Sequence, residues 1–121
     1  MPPTLDNETV IPKTSTDYWL GRGFMNSVRL TYQHWILKSR SGFDLHPDIV
    51  RDSGLADATE ESPNKPLQIL DLATGNGIWA TEVAEQFGSS VKVTALDISD
   101  AMFPLKPIRP DNVEYGVFDL F

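Results

Sequence analysis

Two aspartates and a pair of glycines carry the chemistry legible in this chain. Residues 69–77 run Ile-Leu-Asp-Leu-Ala-Thr-Gly-Asn-Gly, so an apolar run leads into Asp71 and then into a turn holding Gly75 and Gly77. Glycine at these two places lets the main chain approach a ligand closely and swing into a following helix. Gly75-Asn76-Gly77-Ile78-Trp79-Ala80 fits the G-x-G-x-x-G/A pattern of dinucleotide-binding turns. Asp97 stands about 20 residues beyond Gly77, where an acid that bonds ribose hydroxyls belongs. That pattern is weak by itself, and Asp71, just ahead of the glycines, is the discriminating residue. A carboxylate beside the loop would repel a diphosphate, since two unit charges about 4 Å apart feel roughly 4 kcal/mol at an intermediate dielectric. The same carboxylate would attract an ammonium or a sulfonium. A cationic amino-acid nucleoside, S-adenosylmethionine, is therefore favoured over NAD.

Each of these residues also has a plainer reading. The glycines could merely shape a strand-to-helix turn, and Asp97 could cap a short helix. Asp119 lies close to the last residue, where fraying is common. His34 falls beside the aromatic face of a predicted helix and His46 precedes a proline, so packed or capping roles are favoured over general-base roles for both. Two histidines without a matching acid or cysteine cluster imply no metal site. Tyr18 and Trp19 could close over a ligand or pack in a core. No catalytic base is assigned.

The elements that must position these residues follow from periodicity. Residues 1–14, with three prolines, read as an extended arm, and residues 15–51 as a helical segment. Within it Phe24, Val28, Tyr32, Trp35 and Ile36 share one face of a helix predicted to run to about Arg40 and end before Gly42. That aromatic stripe is expected to need a packing partner. A short element is predicted around Asp48 to Val50. Residues 52–66 lack an apolar period and hold four acids and two prolines, so they read as an acidic linker. Residues 67–121 then alternate: strand Leu67 to Leu72, helix Asn76 to Phe87 stopped by Gly88, strand Val91 to Asp97, a proline-rich crossover, and strand Val113 to Phe118. The helix is expected to face inward through Ile78 or Trp79, Val83 and Phe87. This is the grammar of an α/β fold with an incomplete Rossmann-like, doubly wound sheet of about three parallel strands behind a helical segment.

Composition narrows the function classes. The 121 residues fit one domain, and the 40% hydrophobic content suits a globular core. A formal charge of -7 argues against nucleic acid, whose phosphates call for clustered cations. Arg22, Arg29, Lys38 and Arg40 read as the wet side of a helix. The absence of cysteine excludes disulfides, thiolate metal sites and thiol nucleophiles. The sequence offers neither an apolar run long enough to span a bilayer nor a basic-then-apolar leader at MPPTLDNET, so a soluble cytoplasmic protein without a membrane role is expected.

At this point a family resemblance becomes specific. ILDLATGNGIWATEVAEQF is similar to motif I of class I S-adenosylmethionine-dependent methyltransferases, VTALDIS resembles their second motif, and NVEYGVFDLF resembles the third strand with its acid. RLTYQHWILKSRSGFDLHPDI resembles the R-L-x-x-Q-H … L-H-P-x-I segment of fungal, LaeA-like small-molecule methyltransferases of secondary metabolism. The resemblance covers roughly residues 17–121. It implies that Asp71 receives the methionyl ammonium of the cofactor. Ala73, Thr74, Gly75, Asn76 and Gly77 would line its methionyl and ribose portions. Asp97 would bond the ribose hydroxyls and Ile98 would pack on the adenine. Asp119 would accept from the adenine amino group, with Leu120 alongside. Ala73 stands where many relatives have glycine, which costs little if φ is negative there.

In the resembled family later strands supply much of the substrate pocket, and here the chain stops at Phe121. Three readings are expected to compete. The first is a small-molecule methyltransferase that is truncated and needs a second chain, as a homodimer or a heterodimer with a methyltransferase-like protein, to complete its sheet. The second is a non-catalytic partner subunit. The third is a cofactor-free cyclase or isomerase of natural products.

Overall fold

The computed structural model describes residues 23–57 and 65–119. The arm at residues 1–14, Tyr18, Trp19 and Leu120 lie outside the described residues. α1 spans Phe24–Ser41 and ends where Gly42 enters the left-handed region (φ 82), its N–H donating to the Lys38 carbonyl at 2.7 Å. Lys38 and Arg40 sit in the last turn, where the helix dipole favours cations. α2 covers Pro47–Asp52 and starts on a proline that gives up no needed donor. His46 caps it, Nδ1 accepting from the Asp48 N–H at 3.1 Å.

β1 (Leu67–Leu72), β2 (Val91–Asp97) and β3 (Val113–Val117) form an open sheet, and α3 (Ile78–Phe87) links the first two strands. The order is β1-β2-β3 and both pairings are parallel, with Leu67 opposite Val91 and Val93 opposite Val113. This is a Rossmann-like α/β arrangement preceded by a helix, and its elements match the predicted ones to within two residues at each end. The proline-rich crossover holds only a short 3₁₀ turn at Lys106–Ile108.

The core is the seam between α3 and β2. Ala80, Val83 and Ala84 on the helix meet Val91, Val93 and Ala95 on the strand, with Val113 and Leu55 at the margins. Small residues on both surfaces let helix and sheet approach closely. Ile69, Trp79, Phe87 and Tyr115 pack around that seam. Of the helix positions expected to face inward, Val83 is buried, Trp79 and Phe87 pack against the core, and Ala80 and Ala84 join them. Side-chain parity places Asp71, Ala95 and Tyr115 in one row on the α3 side of the sheet, as the register pairs them across three strands. The opposite parity carries Leu70 and Leu72, which are 58% and 52% exposed.

Two expectations need correction. The aromatic stripe of α1 faces outward: Phe24, Tyr32, Trp35 and Ile36 are exposed, and only Val28 is partly covered. The face turned to α3 and the glycine loop is instead Ser27, Leu30, Thr31, His34 and Lys38, which recur at helical spacing but are mostly polar. That choice is set by hydrogen-bonding and charged partners on the other side. The stretch read as linker also begins inside the packed body, because a 3₁₀ turn at Leu55–Asp57 buries Leu55 in the core.

Candidate functional site

Parallel pairing brings the carboxyl ends of β1, β2 and β3 to one edge of the sheet, and the loops that leave them meet there. Two bonds lock the first two loops together and a third closes the turn within the first. The Thr74 N–H donates to the Leu96 carbonyl at 2.9 Å, the Gly75 N–H donates to Asp97 Oδ2 at 2.8 Å, and the Gly77 N–H donates to the Thr74 carbonyl at 3.0 Å. The Phe118 N–H donates to the Asp97 carbonyl at 2.9 Å, which ties the third strand end to the second. Asp71, Gly75, Gly77 and Asp97 thus form one connected edge, as their spacing implies.

Alternate residues of the loop adopt left-handed backbone. Gly75 and Gly77 have φ 63 and 73, and Ala73 has φ 61. The expected low cost at Ala73 is corrected by that value. Its methyl group is forced into a conformation that costs an L-residue roughly 1 to 2 kcal/mol. Gly77 has a second reason to be glycine, because a Cβ there would collide with the Tyr115 ring. Tyr115 backs the start of α3, its hydroxyl 3.3 Å from Thr81 Oγ1 and 3.4 Å from the Gly77 carbonyl, and the Arg109 guanidinium lies over its ring.

Asp71 and Asp97 are electrostatic neighbours at this edge. Burial pushes the Asp71 carboxyl above its ordinary value, and the neighbouring Asp97 charge pushes in the same direction against a hydrogen bond from Thr74 Oγ1 to Oδ2 at 2.6 Å. Neither aspartate has an ion-pair partner among the described residues. Two half-buried negative groups without a cation form a site shaped for positive charge. Both oxygens of Asp97 are engaged by the main chain, Oδ1 accepting the Ile98 N–H at 2.7 Å while Oδ2 holds Gly75. Ile98 is partly buried beside it, and Asp119 is exposed just past β3.

α1 closes one side of the glycine loop. The Asn76 side-chain amide donates toward the Ser27 carbonyl, Ser27 Oγ and Thr31 Oγ1 at 3.0, 3.2 and 3.0 Å, while its Oδ1 accepts the Ile78 N–H at 3.2 Å. Asn76 therefore accepts the first N–H of α3 and grips α1 at once. Sequence reasoning assigned it only a main-chain role and missed Tyr115, Ser27 and Thr31. The available signal was the spacing of the small hydroxyl residues in α1, which the louder aromatic period masked.

Further along the same contact, His34, Asp44 and Glu82 come from α1, the loop after it and α3, with one potential ligand atom from each lying within 4.8 Å of the others. This corrects the expectation that the histidines have no matching acids. His34 is packed, as expected, and Lys38 reaches into the cluster rather than standing on a wet face. Trp79 Nε1 donates to the Asp44 carbonyl at 2.8 Å and helps fix that loop.

Comparison with known proteins agrees with this geometry. Residues 42–115 match the ubiE/COQ5 methyltransferase family. The chain is 27% identical over 114 residues to the N-methyltransferase verN of Clonostachys rogersoniana, an alignment that takes in 94% of the chain and 36% of that protein. It thus spans about a third of the length of this relative. No solved structure matches.

Proposed function

The chain belongs to the ubiE/COQ5 methyltransferase family, and we propose that it binds S-adenosylmethionine at the edge formed by Asp71, the 73–77 loop and Asp97 and serves methyl transfer to a small molecule. The family implies a cofactor of this type. The observation that carries the reading is the pair of half-buried carboxylates, without a cationic partner among the described residues, beside a loop whose two glycines have positive φ. Such a site fits a sulfonium nucleoside with an ammonium group and is unsuited to a diphosphate.

Within this reading Asp71 receives the ammonium, and the main chain from Ala73 through Gly77 lines the methionyl and ribose portions. Each Asp97 oxygen keeps a further lone pair for a ribose hydroxyl, so its loop-tying bonds and ligand binding are compatible. Ile98 packs on the adenine, and Asp119 accepts from the adenine amino group. When bound, the cofactor supplies an electrophilic methyl group, so the protein's task is alignment and exclusion of water rather than covalent chemistry. α1 serves that task by pinning the loop through Asn76.

The acceptor we assign is a nitrogen of a small secondary metabolite. The name of the verN relative supports the nitrogen. The R-L-x-x-Q-H and L-H-P-x-I segments support the fungal, LaeA-like group. The exposed stripe of α1 and the outward leucines of β1 support association with a further methyltransferase-like chain, through a homodimer or heterodimer contact.

Calorimetric titration tests the cofactor. S-Adenosylmethionine should bind and NAD should not. Asp71→Asn and Asp97→Asn should each weaken binding by about 1 to 3 kcal/mol, the scale of a charge-assisted hydrogen bond. Equal affinity of both variants and the parent protein would remove this assignment.

A further inference from the structure

The cluster at the far end of the α1–α3 contact is a second site with its own chemistry. His34 and Asp44 have side chains only 9% and 2% exposed, and His34 Nε2 and Asp44 Oδ1 are buried without a hydrogen-bond partner, while Asp44 Oδ2 has its ion pair with Lys38. Buried polar atoms are nearly always satisfied, so two facing each other call for an explanation. His34 Nε2 is 3.5 Å from Asp44 Oδ1 and 3.9 Å from Glu82 Oε2. Ligands about 2.0 to 2.2 Å from a tetrahedral cation lie roughly 3.4 Å apart. The two separations from His34 are close to that value, and all three ligand atoms lie within 4.8 Å of one another.

We propose that His34, Asp44 and Glu82 form a site for a divalent transition cation, zinc being the best-suited probe. One imidazole with two carboxylates is a donor set for such an ion, whereas calcium and magnesium favour oxygen alone. Lys38 is the competing cation. Its Nζ pairs with Asp44 Oδ2 at 2.8 Å and contacts Glu82 Oε2 closely. One ammonium against two carboxylates leaves a negative charge unmatched, and a divalent ion in its place would balance the pair. The exchange needs little rearrangement. The Lys38 side chain is 31% exposed on a flexible stem and can swing to solvent, while His34 and Asp44 are fixed by packing.

Bound there, the ion would join α1, the Asp44 loop and α3 at one point. Because α1 also grips the glycine loop through Asn76, the site would stiffen the frame of the strand-end crevice. It does not depend on methyl transfer, and its test does not use activity.

The test is zinc titration of the 121-residue chain by calorimetry, with bound metal counted after gel filtration. One equivalent is expected. His34→Ala and Glu82→Gln should each weaken binding by at least about tenfold, the scale of changes around a metal shell. Lys38→Met should tighten it several-fold by removing the competitor, and exposed His46→Ala should leave it unchanged. Asp44 is nearly inaccessible and its loss could unfold the loop, so Glu82→Gln and Lys38→Met carry the decision, with circular dichroism to verify folding. Absence of zinc binding by the parent chain would overturn the site. So would binding that survives both His34→Ala and Glu82→Gln, or that Lys38→Met leaves unaltered.

Discussion

Asp71 couples the proposed ligand to pH in a direction that can be worked out. Burial first, and the Asp97 charge after it, raise its pKa in the folded protein above the unfolded value of 3.8. A carboxyl raised on folding favours the native state while it is protonated. That contribution is full below the unfolded value and is lost as pH rises through the folded one, so at neutral pH the ionised group opposes folding. Asp71→Asn should therefore raise the urea midpoint at pH 7 and lose the advantage in acid, even as it weakens the cofactor. A cationic ligand reverses the preference, so affinity should climb as pH rises through the folded pKa, with proton release visible in buffers of different ionisation enthalpy. Ala73 offers an independent check on the same loop. Relief of its φ of 61 by Ala73→Gly, partly offset by the greater freedom of glycine in the unfolded chain, should stabilise the protein by about 1 kcal/mol in urea unfolding. A loss of stability would mean that the methyl group makes contacts worth more than the strain.

Among the elements, the β1–α3 turn shows why glycine types were legible in the sequence and their reasons were not. Gly75 and Gly77 announce positive φ, yet nothing local reveals that Tyr115, 38 residues away, fills the space where a Cβ of residue 77 would go. Gly77→Ala should cost about 2 to 4 kcal/mol from backbone strain and overpacking together. Tyr115→Phe removes the nearest of the clashing atoms, so the cost of Gly77→Ala should shrink by about 1 kcal/mol in that background. Strict additivity in denaturation would show that the ring does not set the constraint. The strands, α3 and the caps were readable because period, Gly42, Gly88 and Pro47 act locally. The orientation of α1 was not, because it depends on partners 44 to 49 residues distant: Asn76 waits for Ser27 and Thr31, and Glu82 for Lys38. A helix with an apolar face and a polar face can bury either. Here specific bonds to the loop outweigh the area of Phe24, Tyr32 and Ile36. The acidic rim at Asp71 and Asp97 was legible for the opposite reason, since parallel strands always bring their carboxyl ends together.

At the scale of the whole molecule the packing is one-sided. The α3 side of the sheet holds the buried core, whereas Leu70 and Leu72 on the other face are exposed, as are the aromatics of α1. Stability should therefore respond very differently to changes on the two sheet faces. Val93 is fully buried, and Val93→Ala should cost about 2 kcal/mol from lost methyl burial plus a small cavity. Leu72→Lys lies one strand away but replaces a side chain that is already half in water, so its cost should stay within about 0.5 kcal/mol. The same substitution places charge on the outer face of β1, a strand with only one partner among the described residues. Exposed apolar edge strands promote self-association, and lysine there suppresses it. The expected outcome is a concentration-dependent mass in sedimentation velocity for the parent chain, with a shift toward the monomer for Leu72→Lys at unchanged urea midpoint. Unfolding of Leu72→Lys at markedly lower urea would show that the outer face is covered within a single chain. Identical sedimentation of the two proteins would move the association surface to the α1 stripe, where Trp35→Lys and Ile36→Lys are the corresponding changes.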